Sequence, residues 1–218
     1  MRGQKAMMSE EARPPRATAA RLSLYLRCLE GWLRAGQQFA SSHDLANALL
    51  LGDAQVRKDL AYLGSLGRRG VGYNAVTLIA AIRKALGIDR EWPVVVLGAG
   101  NLARALLRYR GFKDRGFRIV GLFDSDPRLI GQKVDGLEVF PLTELRRRVS
   151  DTKAEFGVIA VPSESAQEVA DALVKAGIRG ILNFAPALLR LPKGLAIVNV
   201  DLTIQLEQLA FQVLAGAG

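Results

Sequence analysis

A chain of 218 residues, half of them hydrophobic, carries enough apolar matter for one or two buried cores, which excludes a disordered polypeptide. The net charge of +9 is concentrated, relative to length, in the first 80 residues and favours a polyanionic partner there, although a basic soluble surface has the same composition. Cys28 stands alone, which excludes an intrachain disulfide and a cysteine-based zinc site, and no apolar run reaches membrane-spanning length, so a soluble, cytoplasmic protein without membrane partners is expected.

Residues 1–17, with Pro14, Pro15 and several charges but no apolar core, read as a disordered tail rather than a signal peptide. Thr18 is placed to cap a first helix, Ala19 to Ala35, with Leu22, Tyr25, Leu26, Leu29 and Leu33 recurring at helical spacing and Gly36 ending it. Ser41, Ser42 and Asp44 open a short second helix with Leu45, Ala46 and Leu49 inward. After a Leu51-Gly52 turn, a third helix capped by Asp53 turns Val56, Leu60 and Leu63 to the core and Gln55, Arg57, Lys58 and Tyr62 outward. This is the layout of a helix-turn-helix, whose second helix fits the major groove. The Gly-rich segment Gly64–Tyr73 reads as a hairpin, a wing with Arg68 and Arg69 at its tip. Gln55, Arg57 and Lys58 suit base edges and phosphates, and the two wing arginines suit phosphates or a narrow minor groove. Asn74 caps a fourth helix, Ala75 to Leu86, with Val76, Ile79, Ala80, Ile82 and Leu86 on one side. A winged-helix domain at residues 18–88 follows from these elements.

Residues 89–200 read differently. Val94–Leu97 is the continuous aliphatic run of a parallel strand buried on both faces. The turn Gly98-Ala-Gly-Asn-Leu-Ala103 then has the G-x-G-x-x-A form: Gly98 permits the bend, Gly100 lets a pyrophosphate approach the backbone, and Ala103 allows close helix packing. Ala99, Asn101 and Leu102 complete this anion-binding turn at the helix start. A second strand, Phe117–Phe123, ends at Asp124, about twenty residues on, where a carboxylate accepts ribose hydroxyls and repels a 2′-phosphate, which favours NADH/NAD+ over the phosphorylated cofactors. An ordinary Gly turn beside a solvated Asp124 is the alternative. Further strands at 137–140, 156–161, 180–183 and 195–200 alternate with helical stretches at 142–149 and 165–176, which implies a Rossmann-type doubly wound parallel α/β sheet. Val161-Pro162-Ser163 and Asn183-Phe184 sit at strand ends where such sheets bind ligands, so Val161, Pro162, Asn183 and Phe184 are candidates for the nicotinamide half; ordinary turns fit the same pattern. Residues 201–218 form a terminal helix, with Leu202, Leu206, Leu209, Ala210 and Val213 on one stripe and Ile204, Phe211 and Leu214 elsewhere. Apolar nearly all round, it is expected to be buried, either in another subunit or in its own.

The combination of winged helix, short linker, Rossmann-type domain and apolar terminal helix resembles the Rex family of redox-sensing transcriptional repressors over nearly the whole chain. The most specific stretches are Gln55-Val-Arg-Lys-Asp-Leu-Ala-Tyr-Leu-Gly64, Arg69-Gly-Val-Gly-Tyr73, Phe123-Asp-Ser-Asp-Pro127, Gly180-Ile-Leu-Asn-Phe-Ala-Pro186 and Asn199-Val-Asp201. The resemblance implies a homodimer that exchanges its terminal helices, binds a palindromic double-stranded DNA operator, and leaves it when NADH accumulates. It also implies that Arg27 pairs with Asp201 of the partner subunit in one state of a switch. Three positions depart from the family pattern: Ala103 replaces the third glycine, Ala160 the threonine before Val-Pro, and Leu202 the aromatic after the Asn-Val-Asp aspartate.

The rival from another class is an NAD-dependent dehydrogenase with an N-terminal oligomerisation domain. Such an enzyme places an acid or base at the nicotinamide. The sole histidine, His43, falls in the helix-turn-helix, which leaves Lys175 and Lys193 as conceivable bases. A CoA-binding Rossmann protein is a third reading of the same Gly turn. No catalytic-triad, metal-ligand or P-loop spacing is present, so the sequence is read as a ligand sensor and not as an enzyme.

Overall fold

The computed structural model describes residues 14–68 and 70–216, and these form two compact units that part between Arg90 and Glu91. Most of the tail expected at 1–17, together with Arg69, lies outside the described residues.

In the first unit, α1 (Arg16–Arg34) precedes β1 (Phe39–Ala40), α2 (Ser42–Leu49), α3 (Asp53–Ala61), β2 (Tyr73–Asn74) and α4 (Ala75–Ala85). A capping box starts α2: Ser41 accepts the Asp44 amide, and the Asp44 side chain accepts the Ser41 amide. Asn74 caps α4 by accepting the Thr77 N–H. Two expected caps fall elsewhere. The N-cap of α1 is Pro15, so Thr18 lies inside the helix, and the N-cap of α3 is Gly52, which makes Asp53 the first helical residue. Leu22, Tyr25, Leu26 and Leu29 of α1 meet Leu45 of α2, Val56 and Leu60 of α3, and Leu78 and Ile82 of α4 in one core. Each such aliphatic side chain contributes about 1.5–3 kcal/mol. The buried stripe of α4 is Ala75, Leu78 and Ile82, with Ile79 and Leu86 half-buried on the same core; of the expected stripe, Val76, which is 59% exposed, and Ala80 face outward. Helical spacing alone left the centre of the stripe open; packing on α1 set it.

The wing is a hairpin closed by the antiparallel bridge Arg68↔Gly72. It is continued by β1 against β2, with Ala40 opposite Tyr73. Gly72 is required here twice over: its φ is +89°, and a Cβ would stand 2.6 Å from the Ala40 carbonyl oxygen.

In the second unit β3 (Trp92–Leu97) leads to α5 (Asn101–Arg108), α6 (Arg110–Asp114), β4 (Phe117–Asp124), β5 (Lys133–Val134) and β6 (Leu137–Pro141). A 3-10 turn and α7 (Leu145–Thr152) then connect to β7 (Phe156–Ile159), α8 (Ser163–Lys175), β8 (Gly180–Asn183), β9 (Ala196–Asn199) and α9 (Leu202–Ala215). Strand β7 stops two residues short of the expected Val161, and α8 starts two residues early. The described strands form a seven-stranded sheet in the order β5-β6-β4-β3-β7-β8-β9, parallel except for the β5–β6 pair.

One sheet face, with Val95, Leu97, Phe123, Ile159 and Ile181, is covered by Leu145 and Val149 of α7 and by Val169 and Leu173 of α8. On the other face, Ala103 of α5 packs on Val94, Val96, Leu122 and Val158. Toward β8 and β9 that second face is uncovered, and a cavity of about 310 Å³ opens there, lined by Phe117, Phe156, Val158, Leu182 and Val198. Every described residue of α9 is exposed. Leu202, Leu206, Phe211 and Leu214 all lie near or above two-thirds exposure, so packing of this helix within its own subunit, one of the two expected possibilities, does not occur. No helix among the described residues is long and apolar enough to cross a membrane.

Candidate cofactor edge and nucleic-acid face

Register brings the candidate cofactor residues to one edge. Phe123 of β4 pairs with Leu97 of β3, Leu97 with Ile159 of β7, Ile159 with Asn183 of β8, and Asn183 with Asn199 of β9. The next residues, Asp124, Gly98, Ala160, Phe184 and Val200, therefore stand in a row along the carboxyl edge. At about 4.8 Å per strand, Asp124 and Phe184 are roughly 14 Å apart. The row matches an extended ligand laid across the strands.

Each element of the row has a physical reason. Gly98 has φ +99°, and a Cβ on it would meet the Ala160 carbonyl oxygen at 2.4 Å, so the turn closes onto the end of β7 only with glycine. Gly100, the N-cap of α5, has nothing within 4 Å of where its Cβ would project. That open cradle lies above the first amides of α5, which no side chain caps. The amides of Asn101, Leu102 and Ala103, with the positive end of the helix dipole, suit an anion. Asp124 is half-buried; its Oδ2 accepts the Ala99 N–H at 2.7 Å and its Oδ1 the Asp126 N–H at 2.9 Å. The carboxylate thus holds the Gly turn to β4 and keeps lone pairs for hydroxyl donors. Asp126 in turn pairs with Arg128.

Val161 is half-buried, and Pro162 is exposed as the N-cap of α8. Phe184 packs partly against the Ala99–Ala103 side of the sheet. Asn183, expected to contact the cofactor, is fully buried instead. Its Oδ1 accepts the Ala185 N–H at 3.0 Å, and its Nδ2 donates to the carbonyls of Ala185 and Ala187 and to Asn199 Oδ1. It shapes the loop after β8 from within. Lys175 ends α8, and Lys193 precedes β9, so both bases considered for a dehydrogenase lie toward the amino edge, away from the row. His43 sits in the first turn of α2, 3.1 Å from the Asn47 side chain.

On the first unit, Arg57 and Lys58 are exposed on α3, and Arg68 is exposed on the wing. Arg57 pairs with Asp53 one turn back. An exposed i,i+4 pair of this kind is worth only about 0.3–0.5 kcal/mol. Gln55 departs from expectation: half-buried, it donates its amide to Asp59 Oδ1 at 3.0 Å rather than outward. Asp59, which the sequence reading passed over, is the polar centre of this unit. Fully buried, it receives Arg21 Nε at 2.6 Å and Nη2 at 2.8 Å, the Tyr25 hydroxyl at 2.7 Å and the Thr18 hydroxyl at 3.1 Å. Burial pushes its carboxyl up, but the bonds from Arg21, Tyr25, Gln55 and Thr18 outweigh that and bring it down to about 2, while burial and Asp59 push the Tyr25 phenol up. Its signal in the sequence was an acid on the apolar stripe of α3 facing Thr18, Arg21 and Tyr25, spaced i, i+3 and i+7 on α1.

Arg27 is exposed on α1. Asp201 caps α9, its Oδ1 accepting the Thr203 and Ile204 amides. Among the described residues no group of His, Cys, Asp and Glu is arranged to hold a metal ion.

A family model described as "CoA binding domain" matches residues 89–187, and one described as "Putative DNA-binding protein N-terminus" matches residues 15–61. The redox-sensing transcriptional repressor Rex of Carboxydothermus hydrogenoformans is 50% identical over 199 residues, covering 91% of this chain and 96% of the relative. Rex 1 of Thermotoga maritima is 47% identical, covering 91% and 95%, and Rex of Streptomyces coelicolor is 46% identical, covering 94% and 79%. Among solved structures, RSP in complex with beta-NAD+ and operator DNA superposes with a TM-score of 0.86 at 33% identity, over 96% of this chain and 94% of that one. RSP in complex with beta-NADH gives 0.83 at 33% identity, over 92% and 94%. By its identity to these relatives over nine-tenths of its length, this chain belongs to the Rex family of redox-sensing transcriptional repressors.

Proposed function

We propose that this protein is a DNA-binding transcriptional repressor that senses the NADH/NAD+ ratio, with NADH releasing it from a palindromic operator. The observation that carries the reading is the single row along the carboxyl edge, from Asp124 through the Gly98–Ala103 turn to Val161, Pro162 and Phe184. In it the α5 amides hold the pyrophosphate, Gly100 leaves room for it, and Asp124 takes the adenosine ribose. Phe184, Val161 and Pro162 border the nicotinamide, which is the part of the ligand that carries the redox signal, cationic in NAD+ and neutral in NADH. Asn183 positions the Phe184 loop without touching ligand. The cofactor is sensed and not turned over, because the candidate bases Lys175 and Lys193 lie at the opposite edge.

Arg57, Lys58, Arg68 and Arg69 supply the contacts to DNA, with Gln55 bracing α3. The working form is a cytoplasmic homodimer. Its basis is a pair of complementary surfaces: α9, apolar and exposed throughout, and the uncovered apolar sheet face beside β8 and β9. The α9 helix of each subunit covers such a surface on the other, and Asp201 at its start meets Arg27 of the partner in one state.

The description of the matching nucleotide-domain model supports one competing ligand, CoA, whose own pyrophosphate suits the same α5 terminus. Calorimetric titration with NADH, NAD+, NADPH and CoA, paired with gel shifts on a palindromic DNA, separates the readings. Tight NADH binding that lowers DNA affinity is the expected result. Binding of CoA alone overturns it.

A further inference from the structure

We propose that Asn199 is a positioning residue that passes the state of the Phe184 loop to the start of α9. The inference rests on the sensor reading above and assigns a route for its coupling.

The geometry lies in one overcommitted amide. Asn183 Nδ2 carries two hydrogens but faces three acceptors: the Ala185 carbonyl at 3.0 Å, the Ala187 carbonyl at 3.3 Å and Asn199 Oδ1 at 3.0 Å. Two of these acceptors belong to the loop that begins with Phe184, and the third belongs to β9. A loop shift that strengthens one bond must weaken another. Because Asn183 is fully buried, water does not make up the difference. On the far side, among the described strands β9 is an edge strand paired with β8 alone, and two residues after Asn199 comes Asp201, the N-cap of α9. The Val200 N–H also donates to the Asn183 carbonyl at 2.8 Å, so backbone and side chain of Asn183 both grip the segment that enters α9. Asn199 is otherwise exposed, which makes its bond to Asn183 removable without opening a core.

The test measures NADH affinity with and without saturating operator DNA, for the unmodified chain, Asn199→Ala and Asn199→Asp, on the intact dimer. Removing the acceptor in Asn199→Ala is expected to lower the ratio of the two affinities by about five-fold, the equivalent of one net hydrogen bond of about 1 kcal/mol, while NADH affinity without DNA shifts by less than about two-fold. Asn199→Asp keeps an oxygen acceptor in the same place and is expected to restore the ratio. A purely structural Asn199 would lower thermal stability and both affinities together and leave the ratio unchanged, which overturns the proposal. A ratio of one in the unmodified chain overturns the sensor reading and this proposal with it, whereas a larger ratio that Asn199→Ala leaves intact overturns this proposal alone.

Discussion

Asp59 shows how a single side chain sets the behaviour of a domain. Its carboxyl is held at about 2, below the ordinary 3.8, so the network stabilises the folded winged helix above pH 4 and loses that contribution as pH falls toward 2, where the unfolded chain already binds the proton. The shift corresponds to about 2 kcal/mol. Denaturant midpoints of the unmodified chain should fall between pH 4 and pH 2.5, and those of Asp59→Asn should start lower and stay flatter; parallel profiles would refute the assignment. The two glycines of the nucleotide turn separate fold from ligand. Gly98→Ala must place a Cβ against the Ala160 carbonyl at positive φ and is expected to lower both stability and NADH affinity, whereas a Cβ at Gly100 meets no protein atom, so Gly100→Val should abolish NADH binding with a smaller change in melting temperature than Gly98→Ala. Equal melting losses in both would contradict this division. Asp124→Ala is expected to weaken NADH and narrow its advantage over NADPH, since the repelling charge is gone, although lost tethering of Ala99 adds to the effect. An unchanged NADH-to-NADPH ratio by calorimetry would place the adenosine elsewhere.

At the scale of elements, α3 and the wing are the proposed DNA face, and α9 is the proposed assembly face. Each lost phosphate contact among Arg57→Ala, Lys58→Ala and Arg68→Ala should reduce the salt slope of operator binding by about one. A lost base contact instead costs about 1–3 kcal/mol and relaxes sequence preference. Gel shifts over a salt series distinguish these effects, and unchanged binding in all three variants would remove this face from the DNA interface. For α9, the double change Leu206→Ser and Phe211→Ser takes apolar surface from a helix that its own subunit does not cover. Sedimentation should show the dimer shifting to monomer with the secondary structure intact. A dimer that persists unchanged would assign the assembly to another surface.

For the whole molecule, the proposed sensor requires the two compact units to share one ligand-dependent equilibrium. A ligand moves such an equilibrium only through its different affinity for the two states. If NADH weakens operator binding by some factor, operator DNA must weaken NADH binding by the same factor, with a coupling typically of about 1–3 kcal/mol. Asp201→Ala and Arg27→Ala should change that coupling more than either intrinsic affinity, as read from NADH titrations with and without saturating operator. Asp201 also caps α9, so Asp201→Asn, which preserves a capping oxygen while removing the charge, isolates the proposed ion pair. Equal coupling in the charge-removed and unmodified proteins would eliminate the pair as a switch.

Much of this protein was legible in its sequence because the signals are local. The Ser41–Asp44 capping box, the glycines of the nucleotide turn and the alternation of aliphatic strands with amphipathic helices depend on residues within a few positions of one another, and they place both units and the carboxyl edge. Other features depend on which segments meet. Two-residue strands such as β1 and β2 have no periodicity to read, and spacing gave Ile79, Ile82 and Leu86 of the α4 stripe while packing on α1 turned Val76 out and Leu78 in. Asp59 became an anchor only when α1 brought Thr18, Arg21 and Tyr25 to it across 34 to 41 residues of chain. The Asn183 side chain, read as facing a ligand, is enclosed by β9 and its own loop. The apolar terminal helix has the same pattern whether its own subunit buries it or leaves it exposed, because hydrophobicity specifies burial without naming the surface that provides it; only the tertiary structure decided that this subunit does not.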